Sequence, residues 1–86
     1  MLQKDFIIRN KTGLHARPAS VFIQAANTFK CDIRLQKDDR VIDAKSIISL
    51  LTLGAGQGTK ITITTGGEDE ETAMKELLLV LESFDD

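Results

Sequence analysis

The chain has a single histidine, His15, within Asn10-Lys11-Thr12-Gly13-Leu14-His15-Ala16-Arg17-Pro18-Ala19, where a turn-prone stretch gives way to a helical pattern. Near neutral pH an imidazole is partly unprotonated and acts as a nucleophile. The first turn of a helix leaves backbone N–H groups without intrahelical partners, so Ala16 and its neighbours form a natural anion site. Arg17 can bring a fixed, bidentate positive charge to the same point. Gly13 permits the close backbone approach that a phosphate needs. Nucleophile, N–H donors and guanidinium together describe a phosphoryl-accepting site, where catalysis depends mainly on positioning and charge stabilisation. The phosphorus–nitrogen bond so formed is labile, which suits a carrier and not a hydrolase. A histidine at a helix start can also be only a capping or surface residue, and these residues alone leave both readings open.

Other chemistry has little support. One His and one Cys cannot supply the three or four ligands of a zinc site, so neither metal nor cofactor is expected. Cys31 lies beyond the helix that His15 begins, which argues against a Cys-His nucleophile pair. As the only cysteine it cannot form an internal disulfide, in keeping with a reducing cytosol.

The scaffold around His15 must be small. The 86 residues suffice for one domain, 1–86, with one modest core and no large substrate cavity. Chemistry is therefore expected on the surface, with small groups or other proteins, which disfavours a metabolic enzyme. Residues 1–67 carry a net charge of +5 and residues 68–86 a net −7. The overall −2 gives no reason to expect direct nucleic-acid binding, while a basic body face could steer an acidic protein. Ordinary solvated faces would account for the same charges. The start, MLQKDFIIRN, lacks the pattern of a signal peptide, and no apolar run approaches the roughly 20 residues that span a bilayer. A soluble cytoplasmic protein without membrane insertion is expected.

Leu2 and Phe6-Ile7-Ile8 read as a strand ended by Asn10–Gly13. From Ala16 to Lys30, Ala19, Phe22, Ile23, Ala26 and Phe29 fall on one helical face, with Pro18 tolerated in the first turn. Ile33 and Leu35 alternate with polar residues and turn through Lys37–Arg40 into Val41-Ile42, a hairpin. A short helix from Ile47 to about Leu53 has Ser46 as N-cap and Gly54 as stop, followed by a loop with Gly56 and Gly58. Lys60–Thr64 alternates as a strand with one solvated face, ended by Gly66-Gly67. A last helix, about Asp69 to Phe84, carries an acidic start and a stripe of Met74, Leu77, Leu78, Leu81 and Phe84. One sheet with helices on one face is the simplest two-layer arrangement of these elements.

Thr12–Ala19 resembles the active-site signature of HPr, the histidine-containing phosphocarrier family of the bacterial phosphoenolpyruvate-dependent sugar phosphotransferase system. Lys45-Ser46-Ile47 through Leu53–Gly58 is similar to the family's regulatory-serine block and the loop after it, and the likeness runs essentially the whole chain without insertions. The resemblance implies an α+β fold, an open-faced two-layer sandwich of βαββαβα order. Its four-stranded antiparallel sheet, in order 1-4-2-3, would be covered on one face by three helices. It implies that His15 takes phosphate on Nδ1 from phosphorylated Enzyme I and passes it to sugar-specific IIA components, with Arg17 stabilising the group. It also implies phosphorylation of Ser46 by HPr kinase/phosphorylase and corepression with a catabolite-control transcription factor. A Ser46 phosphate at a helix start is electrostatically tolerated, and Ser46 has a capping role in any case.

The short helix is apolar on more than one side. Leu50 and Leu53 are expected in the core, which leaves Ile47, Ile48 and Leu51 either buried or exposed as a docking surface, the reading the resemblance favours. Leu14, Arg17, Ser20 and Gln24 are expected to extend that surface on the solvent side near His15. A monomer is expected of a shuttle that shows one face to several partners. Two alternatives differ in class: a regulatory HPr-like module acting through Ser46, which His15 argues against, and a carrier in a nitrogen-related phosphorelay, which the Lys45-Ser46-Ile47 block disfavours.

Overall fold

A computed structural model describes residues 1–85. The elements run β1 (Leu2–Ile7), α1 (Ala16–Ala26), β2 (Asp32–Lys37), β3 (Arg40–Asp43), α2 (Ile47–Leu53), β4 (Lys60–Gly66) and α3 (Glu70–Ser83). The strands form one antiparallel sheet in the order β1-β4-β2-β3, as the family resemblance implies. β4 is central, and alternation sets its two faces: Ile61, Ile63 and Thr65 are buried, whereas Thr62 and Thr64 are half-exposed.

The helices lie on the inner face. Phe22, Leu35, Leu50, Ile63 and Leu77, each fully buried, knit both layers into one core. Burial of each such side chain stabilises the fold by about 1.5–3 kcal/mol relative to leaving it in water. Buried Thr65 donates its hydroxyl to the Glu70 carbonyl at 3.0 Å, so the core leaves no polar atom stranded there.

One helix boundary and one buried stripe differ from the sequence expectation. α1 stops at Ala26, short of Lys30, because Asn27 and Thr28 turn their side chains back onto it. Asn27 Nδ2 donates to the Ile23 carbonyl at 2.9 Å and Thr28 Oγ1 to the Ala25 carbonyl at 2.7 Å. Phe29 then reaches the core from the turn instead of from the helix. In α3 the buried stripe is Ala73, Met74, Leu77 and Leu81, with Leu78 and Phe84 only half-buried at its margin.

Asp69, the residue before α3, makes no cap bond to its own helix. Its carboxylate instead accepts from Lys30 N and Cys31 N, each at 2.9 Å, and pins the α1–β2 connection to the start of α3. These bonds, the Lys30 amide foremost, hold its carboxyl below the usual carboxylate range. Burial first, then the Asp69 carboxylate, pushes the Cys31 thiol up to about 11, so it stays protonated and poorly nucleophilic. No helix among the described residues is long and apolar enough to cross a membrane.

Candidate functional site

His15 is the N-cap residue of α1, with extended backbone (φ −112°, ψ 173°) and no side-chain bond to the helix it starts. Its carbonyl accepts the first helical bond, from Ala19 N at 2.9 Å. Of the three positions that follow, Pro18 has no N–H, so Ala16 and Arg17 offer the two amides without intrahelical acceptors. The first turn of α1 contains no acid, and residues 6–31 hold Arg9, Lys11, Arg17 and Lys30 with no Asp or Glu. At this helix start the dipole and the Arg17 guanidinium are both positive, which favours an anion.

The loop before His15 is fixed by a tight turn. Asn10 accepts from Gly13 N at 3.2 Å and donates from Nδ2 to the Gly13 carbonyl at 3.0 Å. Leu14 N donates to the Ala55 carbonyl at 2.8 Å, tying the loop to the segment after α2. That contact corrects the place expected of Leu14, and it gives Gly13 a reason the sequence did not show, since its φ of +65° sets it against Ala55 and Gly56. A Cβ there would overlap the Ala55 carbonyl oxygen and lie 2.6 Å from Gly56 Cα. Leu14 is not on the solvent side with Arg17, Ser20 and Gln24: it is 4% exposed and plugs into the core.

His15, Ala16, Arg17 and Pro18 line a shallow cleft of about 440 Å³, together with Thr12 and Val21. Its far wall is Ser83 at the end of α3 with Phe84 and Asp85 just after it. Sequence reasoning missed that wall, since no local pattern ties residue 85 to residue 15. His15 and Arg17 are exposed, and Arg17 makes no ion pair among the described residues, so its guanidinium can turn toward an incoming group.

Ser46 is not in this cleft. It caps α2, Oγ accepting from Ser49 N at 3.4 Å, and Gly54 ends that helix in a left-handed conformation (φ 72°). Asn27 Nδ2 also donates to the Lys45 carbonyl at 3.3 Å, and Lys45 Nζ to the Phe29 carbonyl at 2.7 Å, so α2 begins beside the end of α1. Because Ala55 meets Leu14, α2 ends beside the start of α1, and the two helices run side by side in opposite senses. Leu50 and Leu53 face the core, while Ile47, Ile48 and Leu51 are exposed, Ile48 at 73%. Ser20 and Gln24 are exposed on α1.

These features coincide with known proteins. The family model for the "PTS HPr component phosphorylation site" matches residues 2–83. The chain belongs to the HPr family. Its relatives include the HPr-like protein Crh of Halalkalibacterium halodurans, 44% identical over 95% of this chain and 98% of that one. The phosphocarrier protein HPr of Cupriavidus necator is 42% identical over 94% and 91% of the two chains. Among solved structures, HPr-C-His from Thermoanaerobacter tengcongensis superposes with a TM-score of 0.94 at 43% identity, covering 96% of this chain and 93% of that one. The chain is thus an HPr-family phosphocarrier or a Crh-like regulator, a non-enzymatic member of a phosphoryl-carrier family.

Proposed function

We propose that this chain is a cytoplasmic, monomeric shuttle of the sugar phosphotransferase relay. The observation that carries the reading is His15 at an N-cap position with no side-chain bond to its own helix, beside the Ala16 and Arg17 amides and a guanidinium that makes no ion pair among the described residues. The Nδ1 lone pair forms a bond to phosphorus as the bond between phosphorus and the Enzyme I donor breaks. The two amides and Arg17 then take the charge of the PO3 oxygens. Transfer to a IIA component is the same displacement in reverse, with the acceptor nucleophile replacing His15. Ile47, Ile48 and Leu51 on α2, with Ser20 and Gln24 on α1, supply the surface on which Enzyme I and the IIA proteins dock in turn. HPr kinase/phosphorylase acting on Ser46 would add about −1.5 to −2 charges beside that surface, linking the chain to catabolite repression through a transcription factor.

The 44% identity to a Crh protein favours a second reading, a regulator that works through Ser46 alone. Incubation with Enzyme I and labelled phosphoenolpyruvate separates the two. The shuttle takes up acid-labile, base-stable label that His15→Ala abolishes. Label that survives in His15→Ala, or no label on the wild type, overturns the shuttle reading.

A further inference from the structure

Asn10 takes no part in the chemistry just described, yet it is one of two buried polar side chains among the described residues, 6% exposed. The other, Thr65, serves the sheet–α3 junction. Asn10 serves the His15 loop. Its Nδ2 donates to the Gly13 carbonyl at 3.0 Å and reaches Thr12 Oγ1 at 3.5 Å, while its own carbonyl receives Gly13 N at 3.2 Å. One residue thus grips Gly13 at both its amide and its carbonyl and closes a four-residue turn. The turn presses Gly13 against Ala55 and Gly56 and directs Leu14 N to the Ala55 carbonyl at 2.8 Å. The backbone of the residue before His15 is therefore held by tertiary contact, not by α1.

We propose that Asn10 is a positioning residue for phosphoryl transfer, fixing where the His15 imidazole stands relative to the Ala16 and Arg17 amides. The proposal rests on the shuttle reading. A displacement near 1 Å at a reacting group costs about a hundredfold in rate, and loosening one turn should cost less, about tenfold. The docking surface on α1 and α2 does not touch Asn10, so partner binding should be unchanged.

The test is Asn10→Leu, which keeps roughly the volume and removes the donor. With Enzyme I and phosphoenolpyruvate, kcat for phosphoryl acceptance should fall about tenfold while KM for this protein stays within about twofold. Hydrogen exchange at the Leu14 amide should quicken by at least about tenfold, with the central-strand amides of Ile61 and Ile63 unmoved. A kcat within twofold of wild type overturns the proposal. So does a rise in KM alone, or an equal loss of protection at Ile61 and Ile63, which would make Asn10 merely structural. If the variant does not fold, the wild type decides. Its Asn10 side-chain amide and Leu14 N–H resonances must shift when His15 is phosphorylated, and unmoved resonances overturn the idea. A wild type that takes no label at all defeats the shuttle reading, a failure distinct from any of these.

Discussion

His15 and Ser46 occupy the same position in two helices and use it in opposite ways. Both are N-cap residues with extended backbone, φ −112° at His15 and −107° at Ser46. Ser46 turns its hydroxyl onto Ser49 N and so satisfies one of its own helix's orphan amides. His15 makes no such bond, and Pro18 removes the amide that a capping side chain there would otherwise reach at the third position. One helix start is closed by its own cap side chain and the other is not. The two starts also lie at opposite ends of the α1–α2 pair. Helical rise along α1 puts about 18 Å between His15 and the Asn27 contact beside Ser46.

The harshest way to break the contrast is to give α1 the cap that α2 has. His15→Ser should abolish acid-labile labelling completely. It should leave the fold intact and raise unfolding stability by no more than about 1 kcal/mol, since only the Arg17 amide is in reach. A less stable variant would mean that His15 does capping work the geometry does not display. Urea unfolding and the labelling assay read the two effects separately.

Next in size is a pair of left-handed glycines, Gly13 just before the start of α1 and Gly54 at the end of α2. Gly13→Ala forces a Cβ into the Ala55 carbonyl at φ +65° and should cost about 2–4 kcal/mol, with loss of most phosphoryl acceptance. Gly54→Ala, at φ +72°, meets only Lys37 Nζ at 3.5 Å and should cost about 1 kcal/mol. Equal losses in denaturant midpoint would show that backbone conformation, not the contact with Ala55, makes Gly13 necessary.

Local pattern reached as far as period and capping chemistry reach. The helical face of Phe22 and Ala26, the Ser46 cap and the Gly54 stop are legible, because each depends on neighbours within one or two turns, whereas the exposure of Ile47, Ile48 and Leu51 was left open by the pattern and favoured only by the family resemblance. The order β1-β4-β2-β3 came with the family resemblance alone, since strand pairing is set by contacts far apart in the chain. The site was half legible. The residue types at His15 and Arg17 declare their chemistry, but nothing near Leu14 announces that a loop 40 residues later will bury it. A lone apolar residue beside a histidine carries no period. Asn10 and the Phe84–Asp85 wall escaped for the same reason, as did the turning of Asp69 away from its own helix.

Ser46 itself sharpens the comparison at smaller scale. Ser46→Ala should lower stability by about 1 kcal/mol and leave labelling of His15 at the wild-type rate. Ser46→Asp keeps a good capping group and should hold stability within about 0.5 kcal/mol. The added charge beside the proposed docking face should nonetheless slow acceptance from Enzyme I, seen as a raised KM that salt relieves. An aspartate variant labelled as fast as wild type at low salt would remove charge at Ser46 as a means of control.

The smallest effect concerns the third helix start, where the N-cap side chain serves another element. Asp69 gives its carboxylate to the Lys30 and Cys31 amides, and those bonds lower its pKa below the ordinary carboxylate value. A group depressed in the folded state stabilises the fold fully above its unfolded pKa, about 3.9, and loses that contribution as pH falls through the folded value. Asp69→Asn should therefore be less stable than wild type at pH 7, and the gap should narrow as the pH is taken below about 4. Glu70 is depressed too, chiefly by accepting from Gly67 N at 3.0 Å, so wild type and variant both weaken in acid and only their difference reports on Asp69. The urea midpoints of the two proteins between pH 7 and pH 3 measure it. A gap that stays constant across that range would mean the clamp works through shape alone, with no share for the carboxylate charge.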